Sequence, residues 1–145
     1  MPVSVKVITL WRREVENRPG TLARALEPLA RAGVNLSVLM AYRYPGQEET
    51  AAIEVYPVAS KKAAAAAQAA GLTASSIPTL LVEGENRAGQ AYAVTKAIAE
   101  AGINVSFFLA QVVGRKYTAI LGFETQADAR RASSLIKRVK APKKT

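Results

Sequence analysis

An α+β fold made of two similar units is what this chain of 145 residues predicts, and three observations carry the prediction. Segment 16–37 (ENRPGTLARALEPLARAGVNLS) aligns with segment 85–106 (ENRAGQAYAVTKAIAEAGINVS) without a gap, at an offset of 69 residues (85 − 16). Nine pairs in that window are identical, among them Asn17/Asn86, Gly20/Gly89, Gly33/Gly102 and Asn35/Asn104, which points to a duplicated small domain. Each copy also switches from strand-like alternation to a helical period and back.

The elements follow in order. Val3, Val5 and Val7 alternate with Ser4, Lys6 and Ile8, so residues 3–11 read as a strand. Asn17, Pro19 and Gly20 break it. From Thr21 the apolar positions Leu22, Ala25, Leu26, Leu29 and Ala30 form one helical stripe, which Gly33 closes as a left-handed cap. Pro28 interrupts the backbone bonding of this helix and predicts a bend that its counterpart, with Ala97, lacks.

Residues 34–44 and 50–56 read as a hairpin about the turn at Tyr44, Pro45, Gly46 and Gln47, and an alanine-rich helix over about 60–70 ends at Gly71. That helix reads either as a thin packing face or as an exposed spacer. The second copy repeats the order with a strand at 79–83, a helix carrying Ala91, Val94, Thr95, Ile98 and Ala99, and strands at 103–113 and 117–123. Pairing Thr50 with Thr118 lowers the offset to 68 there, as if the second hairpin had lost one residue. Thr125 and Asp128 predict a capping box for the last helix, whose stripe is Ala132, Leu135, Ile136 and Val139.

Strand, helix, strand, strand, helix, with one more strand, makes a ferredoxin-like βαββαβ unit with a mostly antiparallel sheet and helices on one face. The expected division is 1–75, 76–139 and a basic tail at 140–145. Residues 73–83 are long enough to end one unit and begin the next, but 140–145 is too polar for a core strand. We therefore expect the beginning of 3–11 to complete the second sheet.

Composition excludes much chemistry. The chain has no cysteine, no histidine and one aspartate, Asp128, which removes thiol and imidazole catalysis and the usual metal ligands. No carboxylate pair stands at a spacing that suggests acid and base roles, so no catalytic residue, metal or cofactor is expected. The absence of disulfides, of a cleavable leader and of an apolar run near about 18 residues predicts a cytoplasmic protein with no membrane segment. The net charge of +9 resembles a nucleic-acid signature, but Lys137, Arg138, Lys140, Lys143 and Lys144 supply five of it in a short tail.

In each copy a glycine-bearing loop leads into a helix start, where unpaired N–H groups and a partial positive charge favour a carboxylate or phosphate. Asn17 or Asn86 in the loop and Asn35 or Asn104 after the helix add groups that both donate and accept, as a zwitterion requires. Glycine and asparagine also serve turns and caps where nothing binds. Gly33 and Gly102 are explained as caps, whereas Arg18 and Arg87 read as solvent-facing.

The loops ENRPG with GVNLS, and ENRAG with GINVS, resemble the two signature loops of ACT domains, regulatory modules that commonly bind free amino acids. The resemblance covers nearly the whole chain and implies a non-catalytic, allosteric regulator, compatible with a homodimer, with ligands at the interface between paired units.

 Carried over by position, Asn17, Pro19, Gly20 and Asn35 would be the contacts of one site, and Asn86, Gly89 and Asn104 those of the other. Members that bind serine carry a histidine two residues before the loop asparagine; Val15 and Gly84 stand there, which points away from a seryl ligand. Ala88 replaces Pro19 in the second loop and removes its φ constraint.

The partner expected on this reading is a free amino acid or similar small carboxylate, with homo-oligomers compatible and nucleic acid disfavoured. Two other readings stand beside it. An RNA-binding protein shares the βαββαβ order, but strands 50–56 and 117–123 offer only Tyr56, Tyr117 and Phe123, without the basic-glycine-aromatic run of that motif. A ligand-free regulatory subunit that recruits a partner enzyme is the third.

Overall fold

The computed structural model describes residues 3–140, and the expected basic tail at 140–145 lies outside them except for Lys140. Two compact units divide the chain: residues 9–76 form the earlier unit, and residues 1–8 join 77–145 in the later one. The N-terminal residues thus leave the contiguous 1–75 grouping.

The earlier unit runs β2 (Trp11–Glu16), α1 (Thr21–Arg31), β3 (Val38–Tyr44), β4 (Gln47–Tyr56), α2 (Lys61–Ala69) and β5 (Thr73–Ala74), with sheet order β3-β4-β2-β5. The later unit runs β6 (Thr79–Glu85), α3 (Gln90–Glu100), β7 (Val105–Val113), β8 (Lys116–Phe123) and α4 (Gln126–Arg138), and takes β1 (Ser4–Ile8) from the N-terminus, with sheet order β1-β6-β8-β7. All strand neighbours are antiparallel, and both units have the ferredoxin-like sheet order. Ser4 pairs with Glu83 and Ile8 with Thr79, so the start of the chain completes the later sheet, as its length suggested. The segment after α2 likewise divides, into β5 for one sheet and β6 for the other.

The helices cover one face of each sheet. Leu29 and Ala25 of α1 meet Ala67 of α2 over Ile53 and Val55 in the earlier core, so the alanine-rich helix is a packing face and not a spacer. Val94 and Ile98 of α3 meet Ala129, Ala132 and Ile136 of α4 over Leu80, Val82, Leu121 and Phe123 in the later one. Burying these side chains is worth roughly 1.5–3 kcal/mol for each large residue. Pro28 lies inside α1, which continues to Arg31 and has the same 11 residues as α3. Gly33 and Gly102 follow the helices with φ of 71° and 73°, in the left-handed conformation that a side chain would strain. Ser60 and Thr125 cap α2 and α4 by accepting the N–H of Ala63 and Asp128, each at 3.0 Å.

Two sequence expectations change. The strands expected from residues 34 and 103 begin at Val38 and Val105, because the residues between helix and strand pack Val34, Leu36 and Ile103 on the core before any ladder forms. The hairpins also differ by more than one residue. Val15 faces Ala51 and Gly84 faces Tyr117, so aligned partners stand 66 apart (117 − 51), three fewer than 69. An irregularity between Arg43 and Tyr44 absorbs the extra length of the earlier hairpin.

Candidate functional site

Each site begins where a strand ends and its chain turns into a helix. Gly20 and Gly89 occupy the N-cap positions of α1 and α3 at φ of 87° and 83°, and neither helix has a side-chain cap. A glycine cap brings no side-chain oxygen to the first turn; the Thr21 and Gln90 N–H groups donate to the Arg18 and Arg87 carbonyls, and the next N–H groups of the turn are left for another acceptor. The loop before each glycine is tied to the hairpin: the Asn17 N–H donates to the Glu49 carbonyl at 2.8 Å, and the Asn86 N–H to the Arg115 carbonyl at 2.7 Å.

In the later unit this helix start opens on a cleft of about 440 Å³. Its walls are apolar, from Val82, Val94, Phe108, Ala119 and Leu121, and Asn86, Arg87, Gly89 and Gln90 form its rim and helix end. Gln90 and Tyr117 line it at 7% exposure each, and the Gln90 Oε1 and Tyr117 hydroxyl have no hydrogen-bond partner among the described residues. An unsatisfied buried polar atom costs about 1–3 kcal/mol, so two in one cleft mark a place where a partner would be stabilising. Gly84 makes room for the Tyr117 ring: a Cβ there would stand 2.8 Å from Cε1 and 3.0 Å from the hydroxyl oxygen.

The corresponding cleft in the earlier unit measures about 200 Å³. Leu22 and Ile53 take the places of Ala91 and Ala119 and fill it. Arg24, where the later unit has Ala93, folds over the helix start, with one guanidinium nitrogen 3.1 Å from a Cβ built on Gly20. Beside it is a depression of about 460 Å³, lined by Arg13, Arg18 and Arg24 with Glu14, Glu16 and Glu49. A binding cleft for a small molecule typically measures about 300–1,000 Å³ with mostly apolar walls, a description that fits the later unit alone.

The residues expected at the sites divide by position. Asn86 and Gly89 lie on the later cleft, and Asn17 lies on the smaller one, where its Nδ2 donates to the Glu48 carbonyl at 2.8 Å and latches the hairpin. Gly20 caps α1, and Pro19 sits in the turn just before it. Asn35 and Asn104 follow the far ends of the helices, and an 11-residue helix is about 16 Å long. They line neither cleft, and the Asn104 amide donates to Glu124 at 3.2 Å. No single unit brings both kinds of asparagine to one small ligand. Arg18 pairs with Glu16 at 2.6 Å and Arg87 with Glu85 at 3.4 Å, so both arginines are tied to a neighbouring carboxylate.

Sequence reasoning missed Gln90 and Tyr117. A glycine inside a strand signals close approach by another group, so Gly84 was the available clue to Tyr117. Among the described residues no cluster of His, Cys, Asp and Glu could hold a metal ion, and no helix is long and apolar enough to cross a membrane.

No family model and no curated protein matches the chain. Solved structures do match it over nearly their full lengths. A protein of Bacteroides thetaiotaomicron aligns over 92% of this chain and 98% of its own at 14% identity, with a TM-score of 0.74. The ligand-free regulatory subunit of aspartate kinase from Thermus thermophilus covers 96% and 97% at 14% identity, with a TM-score of 0.63. That of Thermus flavus covers 94% and 97% at 18% identity, with a TM-score of 0.54. At these identities the likeness is one of fold.

Proposed function

We propose that this protein is a non-catalytic regulatory protein that binds a free amino acid at the loop-to-helix end of an ACT-type unit. The observation that carries the proposal is the later cleft, where an uncapped helix start meets two buried polar atoms without partners. The α-carboxylate suits the first-turn N–H groups of α3, and the α-ammonium suits the Gln90 oxygen. The solved neighbours that are described as regulatory subunits of aspartate kinase support a regulatory role.

Asn35 and Asn104 would reach such a ligand only from a second unit, so the reading includes pairing of units, within the cell's cytoplasm, in the chain or between two copies. Affinity for a regulatory ligand need only be micromolar to millimolar, about −8 to −4 kcal/mol, which a few hydrogen bonds to charged groups can supply. A thermal-shift screen with the twenty amino acids tests the reading, since a ligand at 100 times its dissociation constant adds about 2.7 kcal/mol. A flat response to all twenty would overturn it and favour a subunit that recruits a partner enzyme without a ligand. RNA stacking has less support, because Phe123 is 1% exposed and Tyr117 lines the core.

A further inference from the structure

We infer that the later cleft selects a neutral amino acid with a chiefly apolar side chain, and that the earlier unit does not take it. This rests on the amino-acid reading above and names the ligand class for one of the two units. Arg87 is the single formally charged residue lining the later cleft, and Glu85 already pairs with it. A ligand side chain carrying a charge would lose its water against Val82, Val94, Phe108 and Leu121 and meet no opposite charge in return. An apolar side chain would instead cover those walls.

The polar atoms sort in the same way. The Gln90 Oε1 accepts only, and the Tyr117 hydroxyl both donates and accepts, so together they suit one ammonium and one oxygen of a zwitterion. Neither atom forms part of the structure's own bonding, which separates this cleft from an ordinary capped helix start. The earlier unit has neither atom: Thr21 and Ala51 stand in the places of Gln90 and Tyr117, and Leu22 and Ile53 occupy the space.

Isothermal titration of the full chain with individual amino acids tests this, using leucine, isoleucine, valine, methionine and phenylalanine against lysine, arginine, aspartate and glutamate. At least one of the first group should bind with an affinity about tenfold or more above every member of the second. Tyr117→Phe should weaken that binding about tenfold, the loss of one hydrogen bond to a charged ligand. Ala119→Ile and Ala91→Leu, which copy the earlier unit, should each abolish it, whereas Leu22→Ala and Ile53→Val should leave it unchanged. Circular dichroism establishes that each variant folds, and Ala91→Leu on the helix serves if Ala119→Ile does not.

Tighter binding of a charged amino acid, still lost in Ala91→Leu, would overturn the ligand class and leave the site. Binding of an apolar amino acid that survives both Tyr117→Phe and Ala91→Leu would overturn the site while amino-acid binding stands. Binding by none of the twenty would overturn the functional reading itself, and this inference with it.

Discussion

The two units share an offset, an element order and a helix length, yet they spend the strand-to-helix junction differently. The earlier unit fills it with its own groups. Leu22 and Ile53 close the cleft, Arg24 lies over the helix start, and the Asn17 side chain is committed to the hairpin. The later unit substitutes alanine at three of those places and leaves Gln90 and Tyr117 without partners. The frame is common to both units, and a few side-chain volumes decide which of them keeps a cavity.

The opposite sheet face shows the reverse assignment of polarity. In the earlier unit Glu54, at 2% exposure, accepts from the Tyr42 hydroxyl at 2.9 Å and lies 3.8 Å from Arg12, which also donates to the Tyr44 hydroxyl. The aligned positions of the later unit carry apolar residues, Leu81 for Arg12 and Ile120 for Glu54. The earlier sheet therefore buries a carboxylate, whose Oε1 has only the Arg12 charge nearby and no hydrogen-bond partner, where the later sheet buries apolar side chains.

Changes that move one unit towards the other break or sharpen this comparison. The largest effect is expected from Gly122→Ala, because its Cβ would stand 2.2 Å from the Phe107 ring. Overpacking of this kind costs about 1–3 kcal/mol, and urea unfolding should place Gly122→Ala near the upper end. Gly84→Val imports Val15 and drives its Cβ against Tyr117, so a loss of about 1–2 kcal/mol is expected. In a Tyr117→Ala background, which completes the earlier unit's Val15/Ala51 pair, Gly84→Val should cost much less than it does alone; strict additivity in a double-mutant cycle would refute the proposed contact.

Tyr42→Phe tests the earlier unit by leaving a buried carboxylate oxygen without its donor, at a cost of about 1–2 kcal/mol by thermal unfolding. Burial, and then the Glu54 charge, holds the Tyr42 hydroxyl above the ordinary phenol range. Its contribution is therefore complete below about pH 10 and declines as pH rises through the raised value, a decline that Tyr42→Phe should remove. The smallest effects concern the loops. Asn17→Ala should cost about 1 kcal/mol of stability through the lost bond to Glu48, whereas Asn86→Ala should act chiefly on ligand affinity in titration.

Much of the frame was legible because repetition and length constrain it. Copies that need four strands each, with a polar end after the last helix, leave the N-terminal segment as the missing strand. Hairpin register was less legible, since Thr50 and Thr118 invite a match that the irregularity at Arg43/Tyr44 displaces. The loop residues Asn86 and Gly89 were legible because turns demand special residues. Gln90 and Tyr117 were not, because their importance comes from missing partners, and absence of a partner has no local sequence pattern. Asn35 and Asn104 fell at the other helix end for a related reason: adjacency in a motif is not proximity in a unit.

The pairing of Ser4 with Glu83 joins residues 79 positions apart (83 − 4), with the whole earlier unit between them. During synthesis β1 must wait for a partner made much later, and closing so long a loop is slow. Without β1, the β6 edge of the later sheet stays open. A fragment cut at the apparent repeat boundary would inherit that open edge permanently, whereas a circular permutant that carries residues 1–8 behind α4 would build the later sheet from one contiguous stretch of chain.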